Sequence, residues 1–457
     1  MTTSVDALPA GPALAVIAEA LGAVPEVAYA AAHVYPWAAP AFARTPGLVR
    51  PRLPVDRLRL YVHVPFCNYA CTYCFYAIRV GAGREAMERY LTALARELEW
   101  AEAGTPLDQL FVGGGTPTAL PPDLLARLLG SVFARTPSRG TEVHTVEASP
   151  ETLTAPHLTV LREGGVGRVS MGIQTLDHAV LDGVHRRHSA RQALEACDLL
   201  AASGLLVNVD LIYGLPGQTE EGFRRDLEAV VARGVHSVTL YHLRLNERTP
   251  VARALADHER LGLTRLMRWR AFVASAATAL GLRQTRWHTW RRADGPALRH
   301  RRAPHFDPGG KGYQLGIGMS ARSHLGYTIY RNHEALETWM GRVLGGESPV
   351  EQSFAMDAAD RKAQFVARSL GDGRPLARPD YAAAFGAPIE ADYGEVVRRL
   401  VGAGLVEDDG ATLALSELGR LVHDHVTVCF YPPRAQRWLL DRSLPGRREP
   451  PAARPAS

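Results

Sequence analysis

Between residues 58 and 280, short β-rich runs alternate with amphipathic helical stretches, and this alternation limits the fold more than any other feature of the chain. LRLYVHVPF, LDQLFVGGG, EVHTVEAS, RVSMGIQ, LLVNVDLIYGLP and HSVTLYHLRL read as strands separated by helical segments. In the first of those segments Met87, Leu91, Leu94 and Leu98 fall on one face at helical spacing. Strands separated by helices imply a parallel sheet with right-handed crossovers. The predicted fold class is therefore α/β, a partial (β/α)6 barrel with an N-terminal arm and a small winged-helix-like module at the C-terminal end. In such sheets ligands sit at the carboxyl edge. GGGTPT, VEASP, MGIQ and DLIYGLP all fall at that edge, so the chemistry is expected on one rim.

The predicted organisation is an arm over 1–52, a core over 53–280, an extension over 281–345, a helical and winged-helix-like domain over 346–432 and a disordered tail over 433–457. The module's expected recognition helix has no basic run, so it reads as a lid or dimer surface and not as a nucleic-acid reader. The net charge of +5 is spread along a chain whose only lysines are Lys311 and Lys362. That pattern gives no nucleic-acid footprint. No uncharged apolar run is long enough to span a membrane, and the N-terminal apolar stretch lacks a basic leader. Five cysteines, three of them clustered, do not form a disulfide framework; the expected location is cytoplasmic.

Cys67, Cys71 and Cys74, in YVHVPFCNYACTYCFY, directly follow the first strand. Three thiolates at this spacing are one ligand short of a closed cubane cluster, which leaves an iron open to another molecule. A structural zinc site would need a fourth nearby ligand, and none is present in the local sequence.

With these residues in place the chain resembles the radical S-adenosylmethionine (SAM) superfamily. It is most similar to the oxygen-independent coproporphyrinogen III oxidase family, through YVHVPFCNYACTYC, GGGTPT, VEASPE, SMGIQT, HRRHS, DLIYGLPGQT and GLVEDDG…LSELGR in order. The resemblance implies a [4Fe–4S] cluster on Cys67, Cys71 and Cys74. It also implies cleavage of SAM to a 5′-deoxyadenosyl radical, with one or two SAM molecules bound. By the same resemblance Tyr61 lies near the methionyl carboxylate, and Tyr73 packs on adenine. Gly114, Gly115 and Thr116 line the rim, and Glu147 pairs with a cationic group of SAM. Gln174, Arg186 and Asp210 match positions for a second SAM; a buried polar network joining strand ends is their structural alternative. The glycines Gly113 to Gly115 are expected to let the backbone approach a bound group.

Two positions depart from the oxidase pattern. Tyr76 stands where that enzyme has a further cysteine, and Arg322 stands where the family has an aliphatic residue. The favoured activity is therefore class C methyl or methylene transfer to, or cyclopropanation at, an sp2 carbon of a conjugated metabolite. Coproporphyrinogen oxidation and heme delivery are the alternatives. Arg244, Arg286, Arg322 and Arg331 are candidates for holding substrate carboxylates, and flavodoxin or ferredoxin is the expected kind of electron donor. Trp287, His288 and Trp290 could stack on a flat substrate or simply pack. His423, His425, Cys197 and Cys429 read as packing residues, and Asp177, His178 and Ser189 make no hydrolase triad.

Overall fold

The computed structural model describes residues 12–21, 43–51, 58–140, 143–246, 248–255, 263–293, 295 and 312–443. Among them one 13-stranded sheet dominates. Its centre is six parallel strands in chain order: β1 (Leu58–Val64), β2 (Leu107–Gly114), β3 (Thr145–Ala148), β4 (Arg168–Gln174), β5 (Leu206–Tyr213) and β6 (Ser237–His242). Helices Arg84–Leu98, Pro122–Arg135, Ala155–Glu163, Ala190–Ala201 and Glu220–Val231 make the crossovers. The alternation read from sequence is thus the architecture.

Side chains alternate across this sheet with period two. Leu60, Val62, Leu110, Val112, Val146, Val169, Met171, Val207, Val209 and Leu240 are buried in one core with the helix residues Leu91, Leu94, Leu125 and Leu128. Burying each such aliphatic side chain stabilises by about 1.5–3 kcal/mol. The opposite face is polar. Arg59 donates to Gln109 (3.3 Å), and Asn208 donates to Ser170 (2.9 Å), Asp210 (2.8 Å) and Thr239 (3.0 Å). A lumen of this kind is built to hold something polar.

Among the described residues the strands do not close into a ring. Beyond β6 an antiparallel hairpin, β7 (Leu282–Gln284) and β8 (Thr289–Arg292), continues the sheet. Beyond β1 lies β9 (Gly312–Ile317), parallel to it, then the antiparallel β10 (Arg322–Gly326), β11 (Thr328–Asn332) and β12 (Val350–Ala355).

The C-terminal part carries helices Ala358–Ser369, Arg378–Phe385 and Ile389–Gly402 and a separate three-stranded sheet. Its core includes Leu370, Tyr381, Leu400 and Phe430, and it also takes Ile17 and Leu21 from the N-terminal helix Pro12–Leu21. The expected disordered tail from residue 433 needs correcting. Pro433–Ser443 is a helix with Ala435 and Leu439 buried, because Pro suits the first helical turn and the buried pair lies four residues apart on one face. Residues 22–42 and 444–457 lie outside the described residues. Among those described, no helix is long and apolar enough to cross a membrane.

Candidate active site

The cysteines sit on a loop that leaves β1 at the carboxyl rim. Phe66–Cys67 pairs with Arg79–Val80, and Arg79 N donates to the Pro65 carbonyl (2.8 Å), which closes the loop's base. Inside it Cys74 N donates to the Cys71 carbonyl (3.1 Å), and Thr72 N donates to the Val184 carbonyl (3.1 Å). All three thiols are free and half-buried. The Thr116 hydroxyl lies 3.6 Å from Cys67 Sγ, and Arg186 Nη1 lies 3.7 Å from Cys71 Sγ.

Burial pushes the Cys67 thiol up to about 11 and the Cys74 thiol up to about 12. Such thiols ionise when a metal takes the proton's place. Among the described residues no three of His, Cys, Asp and Glu converge as ligands of one ion. A cubane asks for something different, since each thiolate meets its own iron. Three thiols on one loop beside a guanidinium fit that group.

The glycine triplet is closely bordered by protein atoms. A Cβ on Gly113 would come within 2.6 Å of Glu147 Oε2, one on Gly114 within 2.5 Å of the His63 ring, and one on Gly115 within 2.6 Å of the Pro65 carbonyl. The room left by the missing side chains is therefore filled by the protein itself. Gly114, at φ 114°, also donates its N–H to Glu147 Oε2 (3.1 Å).

His63 Nε2 lies 2.9 Å from the Ala77 carbonyl, and its Nδ1 lies 3.1 Å from Tyr61 Oη. A carbonyl only accepts, so Nε2 carries the proton, and Nδ1 accepts from the Tyr61 hydroxyl. Burial holds this imidazole near 4, hence neutral. Burial also raises the Tyr61 phenol well above its ordinary value. Glu147 is pushed up to about 7, by burial first and then by Asp210.

Gln174 ends β4 at φ 73°, a left-handed conformation that is costly for a non-glycine residue. A Cβ on Gly172 would meet Gln174 Nε2 at 2.7 Å and Arg186 Nη2 at 3.6 Å. Arg186 donates to the Gly172 carbonyl and to Ser149 Oγ (3.3 Å). Gln174 and Arg186 therefore both border Gly172, and Arg186 also reaches the cysteine loop. Asp210 lies on the neighbouring strand opposite Gly172 and accepts from Ser170 (3.0 Å) and Asn208 (2.8 Å). Tyr73 packs into an apolar cluster with Val180, Val184, Ile212 and Val251.

The four candidate arginines have different neighbours. Arg331 is held by Glu334 (2.7 Å) and Glu351 (3.0 Å), and Arg286 approaches Asp372 (3.8 Å). Arg244 instead contacts His288 Nε2 (3.3 Å). Arg322 is drawn down to about 10 by burial and the nearby Arg331. Arg244 and Arg322 both act electrostatically on Tyr76, which is 54% exposed and stacks on Phe75 at 4.7 Å.

Sequence reasoning passed over His63 and the lumen residues Arg168 and Tyr241. Period-two spacing from Tyr61 would have pointed to His63. The remaining candidates are structural. Asp177 and Ser189 cap helices, Trp287 stacks on His423 at 4.4 Å, and Cys197 and Cys429 are buried.

Residues 61–230 match the Radical SAM superfamily. Over 394 residues, 83% of this chain and 96% of the relative, the sequence is 32% identical to the heme chaperone HemW of Mycobacterium tuberculosis. It is 25% identical to the oxygen-independent coproporphyrinogen III oxidase of Pseudomonas aeruginosa, over 85% of this chain and 88% of that one. The structure of coproporphyrinogen III oxidase (HemN) from Escherichia coli shares the fold, with a TM-score of 0.71 at 24% identity over 82% of this chain and 91% of that one.

Proposed function

This chain belongs to the radical SAM superfamily, in the family shared by heme chaperone HemW and oxygen-independent coproporphyrinogen III oxidase, and from that premise we propose that it acts on a conjugated, carboxylate-bearing substrate of the porphyrinogen kind. The family uses a [4Fe–4S] cluster and SAM, and Cys67, Cys71 and Cys74 are the residues that would hold the cluster. When bound, the pair supplies one-electron cleavage of SAM and the 5′-deoxyadenosyl radical that follows. A one-electron donor such as flavodoxin or ferredoxin is needed.

The chain's own residues have separate tasks. Arg186 offsets thiolate charge beside Cys71. Glu147 and Asp210, on the strands either side of β4, suit a ligand ammonium group. Tyr61, fixed as a donor to His63, keeps its oxygen lone pairs for accepting. Arg244 and Arg322 suit carboxylates in the fork-like geometry of guanidinium.

One observation carries this reading: two guanidinium groups, Arg244 just after β6 and Arg322 at the start of β10, stand at the carboxyl rim from which the cysteine loop leaves β1. This moves porphyrin-type chemistry ahead of the methyl transfer that the sequence favoured. The test is anaerobic reconstitution followed by incubation with coproporphyrinogen III, SAM, a one-electron reductant such as reduced flavodoxin, and a one-electron acceptor for the electron released when the substrate radical loses carbon dioxide. The expected products are 5′-deoxyadenosine and carbon dioxide; neither product with this substrate overturns the reading.

Methyl or methylene transfer is kept as a second reading because Gln174 and Arg186 both border Gly172 and Tyr76 replaces the oxidase cysteine. It predicts S-adenosylhomocysteine alongside 5′-deoxyadenosine. Gln174→Ala probes it more cleanly than Arg186→Ala, since Arg186 also touches a cluster cysteine. Heme delivery would instead give stoichiometric heme uptake with little SAM turnover.

A further inference from the structure

Glu97 lies on the helix Arg84–Leu98 and is 4% exposed. Its carboxylate accepts from Arg50 Nη2 (2.9 Å), Asn332 Nδ2 (2.8 Å), Gly318 N (2.8 Å) and Trp339 Nε1 (3.0 Å). Arg50, 2% exposed, also donates through Nη1 to the Gly316 carbonyl (2.9 Å) and to Ser323 Oγ (3.2 Å). A buried charge is tolerated when it is paired and well bonded: Glu97 receives four donors, and Arg50 lacks a partner only at Nε.

The bonds made by this pair converge on one hairpin. β9 ends at Ile317, turns through Gly318, and returns as β10 with Arg322 as its first residue. A Cβ on Gly316 would overlap the Arg322 backbone, so the two limbs touch. Gly318, at φ 101°, lies against β1, where a Cβ would come within 2.6 Å of the His63 carbonyl and of Tyr90 Oη. Tyr90 Oη donates to that carbonyl (2.6 Å) and accepts from Met319 N (3.3 Å). Arg322 is thus flanked by two fixed points. Ser323 is held by Arg50, Gly318 is held by Glu97, and the two holders are ion-paired. The same hairpin is fastened to the strand that delivers the cysteines.

We infer that the Arg50–Glu97 pair is a positioning device for Arg322, setting that guanidinium at the rim where it meets a substrate carboxylate. The inference deepens the carboxylate-binding reading above and rests on it. Neither Arg50 nor Glu97 touches substrate, so both act through Arg322.

The experiment titrates coproporphyrin III, the stable oxidised form of coproporphyrinogen III, into cluster-reconstituted full-length protein and follows its absorbance. Arg322→Ala is expected to weaken binding about tenfold, the worth of one charge-assisted hydrogen bond. Glu97→Gln is expected to weaken it by about three- to tenfold in the wild-type background and to add nothing in the Arg322→Ala background, because residues in one network couple. Asn332→Ala removes one tie to Glu97 and one to the Gly318 carbonyl (2.8 Å) without leaving Arg50 uncompensated, and it carries the test should Glu97→Gln fail to assemble its cluster. Additive weakening in the double variant overturns the positioning role. So does wild-type binding in Glu97→Gln and Asn332→Ala while Arg322→Ala weakens, which leaves the carboxylate reading standing. Wild-type binding in Arg322→Ala removes that reading and this inference together.

Discussion

Gly115→Ala is a one-methyl change aimed at the joint between β2 and the cysteine loop. The added Cβ would sit 2.6 Å from both the carbonyl carbon and the oxygen of Pro65 and 2.8 Å from the Phe66 oxygen. All three are backbone atoms, so no rotamer change relieves the contact. Separation would have to lengthen the bonds from Gly115 N to the Val64 carbonyl (2.8 Å) and from Thr116 N to the Phe66 carbonyl (2.8 Å). Overpacking of this kind costs about 1–3 kcal/mol, and each weakened hydrogen bond adds about 1 kcal/mol. The expected loss is therefore about 3–5 kcal/mol. It falls on the segment that ends in Cys67, so cluster loading should drop with it. Urea unfolding of the apoprotein gives the first quantity, and iron and sulfide content after anaerobic reconstitution gives the second. Gly130→Ala is the control. It lies in the helix Pro122–Arg135 with nothing within 4 Å of an added Cβ, and should be neutral or stabilising by up to about 1 kcal/mol. Wild-type stability and full loading in Gly115→Ala would refute the packing argument.

Folding raises the Glu147 carboxyl from its ordinary 4.5 to about 7, so across that window the folded protein binds more protons than the unfolded chain. Apoprotein stability should fall as pH rises from about 4.5 to 7, by up to about 3 kcal/mol, and Glu147→Gln should remove that slope in urea titrations at several pH values. Serine at Cys67, Cys71 or Cys74 should abolish the cluster's visible absorbance and SAM cleavage, whereas Cys197→Ala, in the apolar core, should keep both. Asp424→Ala leaves Arg270 buried without its partner at 2.6 Å and should cost about 3–5 kcal/mol in thermal or urea unfolding.

The strand–helix alternation was legible because both periods are local: two along Leu58, Leu60 and Val62, and near 3.6 along Leu91, Leu94 and Leu98. The cysteine loop was legible for the same reason. Glu97 was not. Its partners Gly318, Asn332 and Trp339 lie more than 200 residues away. One sign was available, since Glu97 shares the buried face of Tyr90 and Leu94, where a lone carboxylate demands partners. For the glycine triplet, a sequence shows that room is left and not that Glu147, His63 and Pro65 border it. His63 acquires its role only when Ala77 comes back past it at the loop's exit. The arginines looked equivalent in sequence, and their separation depends on Glu334, Glu351, Asp372 and His288.

Ile17 and Leu21, each 1% exposed, share a hydrophobic core with Leu370, Tyr381, Leu400 and Phe430, and the Cys429 sulfur faces the Leu21 carbonyl at 3.9 Å. The molecule is buckled like a belt, with its opening turns seated inside its closing ones. A fragment that starts at the first barrel strand strips apolar cover from the far end, and one that stops short of residue 358 leaves the opening helix without a seat. Dissection into catalytic and accessory halves would therefore damage both, and swapping the C-terminal module between relatives would succeed only when its N-terminal helix travels with it.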